Sequence, residues 1–168
     1  MVERKDTLME RKVFLKLCSK ILLEMGFRKN GTTHFYKDLS EDIMLVVALS
    51  HSKYDAVYWF DGGFVIKPIN KHMPNPKFYD ANIRTMHIAI GKKGSIDYLN
   101  ITQEELSMLE TSMEKTLGFY LICCDRSTLM EKIILPDLYA YGKDYDIQEY
   151  LNYSFPPRKI IPDESQIN

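Results

Sequence analysis

Ile43 to Leu49 reads I-M-L-V-V-A-L, seven positions with no polar side chain among them. Neighbouring side chains of an extended chain point to opposite sides, so a strand of this kind is apolar on both faces and belongs in the middle of a covered sheet. The flanks agree. M-G-F-R-K-N-G at 25–31 closes a helix at Gly26 and turns at Asn30-Gly31, and a strand follows through His34-Phe35-Tyr36. Asp38-Leu39-Ser40-Glu41 then reads as the hairpin turn into the apolar run.

Ahead of this unit, Thr7-Leu8-Met9-Glu10 has capping-box spacing. Phe14, Leu17, Cys18, Ile21, Leu22 and Met25 share one helical face, with Lys12, Lys16, Ser19 and Lys20 on another. The pattern is an amphipathic helix laid on something apolar. Behind the unit, Ala56 to Ile66 is rich in aromatic and β-branched residues and reads as one long strand with a bulge or bend at Asp61-Gly62-Gly63. Pro68 to Asp80 carries three prolines and reads as a surface loop. Arg84 to Gly91 alternates as a half-buried strand, and Ile96 to Leu99 as a short one.

Thr102-Gln103-Glu104-Glu105 is a second capping box, with Ile101 and Leu106 placed as a hydrophobic staple. Leu106, Leu109, Met113 and Leu117 form the stripe of the helix it opens. Gly118 ends or kinks that helix, and Phe119 to Cys124 fits either helix or strand. Ser127 to Leu135 reads as helix stopped before Pro136, and Asp146 to Glu149 opens one more. The fold expected is α+β: an antiparallel meander of about five strands, the N-terminal helix packed on one face, and C-terminal helices. One domain spans 1–155, and 156–168 is a proline-containing tail.

Composition bounds the chemistry. A net charge of −1 lacks the basic excess that nucleic acid or an anionic membrane attracts. No apolar run reaches the length of a membrane span, and the charged start M-V-E-R-K-D is unlike a signal peptide, so a cytoplasmic location is expected. The three cysteines show no C-x-x-C spacing and read as small buried hydrophobes.

Gly26-Phe27-Arg28-Lys29, Gly31, Phe35-Tyr36, Leu45-Val46-Val47 to Ser50, and Trp59 to Val65 together resemble a bacterial family, number 4304 among the domains of unknown function. The resemblance covers roughly residues 8 to 92. It departs at Ala48, where the family often has Gln, and at Asp61-Gly62, where Asn-Leu-Gly is commoner. It implies the helix-and-sheet fold but no catalytic residue. Some members occur in toxin–immunity settings, which implies a masking role as one version of protein binding.

Few residues offer chemistry. A turn at Leu39 to Asp42 sets His34 opposite Val47 and places His51 on the same face about 13 Å along, too far for one metal. His72 and His87 lie elsewhere. Ser50-His51 is no dyad, since strand neighbours point apart. No phosphate-binding or nucleophile-elbow motif occurs, so no catalytic residue, metal ligand or cofactor is assigned. A pocket, if present, is expected where the open sheet face meets the 68–80 loop, lined by His51, Trp59 and Arg84.

One asymmetry remains. From Asp97 onward there are 13 acidic residues against 6 basic, whereas residues 1 to 40 hold 5 against 9. Tyr139, Tyr141, Tyr145 and Tyr150 interleave with Asp144, Asp146 and Glu149, a composition that suits either docking on the core or contact with a basic protein partner. The functional expectation is a non-catalytic protein-binding module, immunity-like in one version. The alternative is a small-molecule binder or enzyme using the pocket under the loop.

Overall fold

The computed structural model describes residues 4–70, 75–90, 94–137 and 145–152, with side chains for all of these except 4–9, 86, 87 and 145. The elements are α1 (Arg4–Glu24), β1 (Arg28–Asn30), β2 (His34–Asp38), β3 (Ile43–His51), β4 (Val57–Ile66), β5 (Ile83–Ile88), β6 (Ile96–Asp97), α2 (Gln103–Leu121), α3 (Arg126–Leu129) and α4 (Tyr145–Leu151). The strands follow one another across the sheet from β1 to β5, all pairs antiparallel, and β6 pairs with the start of β4. The fold is α+β, as the patterning implies.

The apolar run explains the architecture. All of Ile43 to Leu49 is buried. Its odd positions, Ile43, Leu45, Val47 and Leu49, join Phe14, Cys18, Ile21 and Leu22 of α1 in the main core. Leu109, Met113 and Leu117 of α2, Leu129 of α3 and Ile147 of α4 belong to the same core. Its even positions, Met44 and Val46, pack with Tyr36, Val65, Ala81 and Phe78 in a second, smaller cluster. The helices therefore cover one face and the 75–82 segment covers the other. The Tyr36 hydroxyl donates to Asn75 Oδ1 at 2.9 Å, and Asn82 Oδ1 accepts from the Ile66 N–H at 2.8 Å, tying that segment to the sheet.

Four α1 side chains in the main core contribute roughly 1.5–3 kcal/mol each, cysteine less, enough to fix the helix on the sheet. Gly26 closes the chain path after α1 with φ +87°, the left-handed conformation that glycine adopts without strain. In α2 the expected capping box forms. The Thr102 hydroxyl accepts from the Glu105 N–H at 3.1 Å, and the Glu105 carboxylate accepts from the Thr102 N–H at 3.0 Å.

Several boundaries differ from those read in the sequence. α1 starts at Arg4, so Thr7 lies inside the helix and cannot cap it, and Ser19 is buried. The turn at Gly31 is flanked by an additional short strand, β1. α2 runs through Gly118 to Leu121, which makes most of 119–124 helical or turn. α3 is followed by a π-helical stretch, Met130–Ile134, and a 3-10 turn containing Pro136, whose ring has no N–H to continue an α-helix. Asp146 falls in the first turn of α4 rather than ahead of it. The tail at 156–168 lies outside the described residues.

Candidate functional site

The strand register decides which side chains can meet. His34 pairs with Ala48, one position away from the Val47 that a turn at 39–42 suggests. The shift of one residue exchanges faces. His34 lies on the loop-covered face with Trp59 and Arg84, while His51, paired with Tyr58, lies on the helix-covered face. The expected lining trio is thus split.

On the loop side, a buried carboxylate organises the end of the sheet. Asp61, 4% exposed, accepts on Oδ2 from the Ser50 hydroxyl at 2.6 Å and from Trp59 Nε1 at 2.9 Å. Arg84 donates from Nη2 to the Tyr79 carbonyl and lies over the Phe78 ring, Cζ 5.9 Å from its centroid. The described part of the loop packs directly on Tyr36, Met44, Val46 and Val65. Burial holds His34 below the usual imidazole range, assisted by the charge of Lys77 and opposed by Asp80.

His51 has different company. Its Nε2 stands 3.2 Å from the Tyr98 hydroxyl, and its ring meets Tyr58 edge-on with centroids 4.7 Å apart. Burial, then the Arg11 charge, keeps its pKa low, while a bond to the Ser52 backbone works the other way.

Of the aromatic–acidic set near the C-terminus, Tyr139, Tyr141 and Asp144 lie outside the described residues, and Tyr145 is described only as the first residue of α4. Asp146 and Glu149 are exposed. Tyr150 is buried at 8% exposure, donates to Asp42 Oδ2 at 3.3 Å, and carries Arg126 over its ring at 4.4 Å. It docks α4 on the body of the protein. The two carboxylates of that helix face solvent.

A groove lies between β6 and the first half of α2, with a cavity volume of about 500 Å³. Ile90, Ile96, Ile101, Met108 and Leu109 supply its apolar wall, and Asp97, Glu104 and Glu105 supply carboxylates. Local bonding explains why those carboxylates collect there. Asp97 Oδ1 accepts from the N–H groups of Leu99 and Asn100 and makes the turn that leads into α2. Glu105 is spent on the helix cap, and Glu104 is exposed beside it. Three carboxylates thus stand at the mouth of an apolar groove. Met108 is 55% exposed there, an apolar side chain held in water. The acidic excess from Asp97 onward is the sequence signal for this site. It does not locate the groove, because Ile101 and Leu109 read equally well as staple and core.

Among the described residues no helix is long and apolar enough to cross a membrane, and no three of His, Cys, Asp or Glu gather as a metal cage. Cys18 and Cys123 are buried, and burial pushes their thiols up to about 12 and about 11, where they stay protonated. Cys124, just past the end of α2, is instead exposed and is not the buried hydrophobe expected. Residues 18–120 match the family described as Domain of unknown function (DUF4304). No curated protein and no solved structure matches the chain.

Proposed function

The chain belongs to the DUF4304 family, and for it we propose a non-catalytic role as a protein-binding module, masking or immunity-like in kind, that takes a basic partner segment into the β6–α2 groove. The observation that carries this reading is the joining of an apolar wall to three carboxylates in one groove. Apolar contact supplies affinity, and opposite charge supplies encounter rate and choice of partner. A segment alternating lysine or arginine with leucine-sized residues satisfies both. The solvent-facing Asp146 and Glu149 on α4 add to the negative field. The alternative site, under the 68–80 loop, draws less support because the described part of that loop packs onto the sheet face.

The test uses two defined peptides, one alternating Lys and Leu and one alternating Glu and Leu. The basic peptide is expected to bind in a salt-sensitive way and the acidic one not to bind. Replacing Glu104 with Lys together with Met108→Asp is expected to weaken binding at least about tenfold while the Tm changes little, since both side chains are exposed. Equal binding of the two peptides, or binding untouched by the double variant, overturns the groove assignment. A loss seen instead on changing Asp144, Asp146 and Glu149 to Lys moves the contact to the 144–149 segment.

A further inference from the structure

Where α1 crosses the start of β4, a second group of polar side chains converges that the groove does not use. Arg11 donates from Nε to the Tyr58 hydroxyl at 2.6 Å, and its Cζ lies 5.6 Å from the centroid of that ring. Tyr58 is fully buried, so this bond satisfies a hydroxyl that water does not reach. It uses one of the five N–H donors of the guanidinium. Among the described residues no carboxylate stands within ion-pair distance of Arg11. A half-buried, rigidly held cation is therefore left with donors to spare, in the forked arrangement that matches an oxyanion.

The neighbouring groups can complete such a site. The rings of Phe14, His51, Tyr58 and Tyr98 lean on one another with centroid separations from 4.7 to 6.2 Å. Burial raises the Tyr98 phenol, which keeps its proton, and lowers His51, which is neutral at neutral pH. The backbone bond to Ser52 raises the His51 pKa, so a ring N–H donates to it. With Nε2 facing Tyr98 that donor is Nδ1–H, which leaves Nε2 the acceptor and Tyr98 the donor across their 3.2 Å contact.

We propose that Arg11 and Tyr98 form a binding site for a small oxyanion, carboxylate or phosphate-like, and that His51 takes up a proton as the anion binds. The anion accepts from the Arg11 Nη groups and from the Tyr98 O–H. Tyr98 turns its hydrogen from His51 to the ligand, which leaves Nε2 without a donor. A proton from water then occupies Nε2, and Nε2–H donates to the Tyr98 oxygen. One anion is bound and one proton is taken up, with no covalent bond made or broken. Around His51 stand Arg11 from α1, Tyr58 from β4, Tyr98 just after β6, and the Ser52 backbone. Glu10 and Asp97 lie near enough to raise the Tyr98 pKa; both are exposed, and solvent weakens their repulsion of an anion.

The experiment follows the imidazole resonances of the full chain by NMR between about pH 5 and 8, the range in which histidine titrates. Sulfate serves as the tetrahedral probe and acetate as the planar one, each against chloride at matched ionic strength. At least one of the two is expected to raise the His51 midpoint and to bind more tightly as the pH falls, and the tighter probe names the class. Arg11→Gln is expected to cost at least about tenfold in affinity, the scale of a lost charge-assisted pair. His51→Gln is expected to keep binding but lose its pH dependence. A His51 midpoint that neither anion moves overturns the site, a result readable on the unaltered protein even if Arg11→Gln does not fold. Undiminished binding to Arg11→Gln overturns it as well, and binding without pH dependence in the unaltered chain overturns the proton uptake.

Discussion

Asp61, Gly62 and Gly63 lie side by side on β4 yet obey different constraints. Asp61 gathers two donors on one oxygen at the end of the sheet. Gly62 is buried against β5 beside the place where the β4–β5 register shifts. A methyl group there would strike the tip of the Ile88 side chain, which can rotate away. Gly63 has no such escape. A Cβ on it would stand 2.5 Å from the Ala81 Cβ and 2.8 Å from the Ile83 carbonyl oxygen, neither of which moves without moving backbone. Overpacking of a well-filled core costs about 1–3 kcal/mol, so Gly62→Ala belongs near the low end and Gly63→Ala at or beyond the high end. Chemical denaturation of the two variants checks the order. A Gly63→Ala protein as stable as Gly62→Ala would mean that the 81–83 backbone yields.

At the scale of elements, α2 depends on a cap that two residues make together. Removing the Thr102 hydroxyl leaves the Glu105 N–H without its acceptor, and Thr102→Ala is expected to lower stability by about 1 kcal/mol, with Thr102→Ser keeping most of it. Equal stability of the alanine and threonine forms would show that water satisfies the helix end as well as the hydroxyl does. This cap was legible in four letters of sequence, because its bonds join residues three apart. So were the apolar run of β3, the helix laid on one of its faces, and the break after Gly26, each set by local periodicity or backbone freedom. The other face, expected to be open beside a surface loop, is instead covered by Phe78 and Ala81. The His34–Ala48 register was not legible. A hairpin loop one residue longer or shorter exchanges every face, and Leu39 to Asp42 contains no glycine or proline to fix its length. The β3–β4 pairing, Ser50 with Trp59 and His51 with Tyr58, separates His51 from Trp59 and Arg84, so the pocket read from the sequence dissolves. The groove was equally hidden, since Ile96 on β6 and Met108 on α2 meet only through tertiary packing.

For the whole molecule, the two-faced sheet ties stability to pH through one histidine on each side. His34 is held low by burial beneath the 75–82 segment and His51 by burial among the aromatic rings, each with a cation nearby in Lys77 and Arg11. Both begin from the ordinary value of 6.5 in the unfolded chain. Above that value both states are neutral and the histidines add no slope. As the pH falls through it, the unfolded chain binds protons that the native protein resists, so the free energy of unfolding decreases. The decrease levels off once the pH is below the folded-state values, where both states are charged. In chloride buffer the urea midpoint is therefore expected to be lower at about pH 5 than at about pH 8, with most of the change below 6.5. The two rings lie on opposite faces with different neighbours, so His34→Gln and His51→Gln should each remove part of the slope and the double variant the sum of the two parts. A midpoint that stays flat or rises toward acid would show that neither burial outweighs its surroundings.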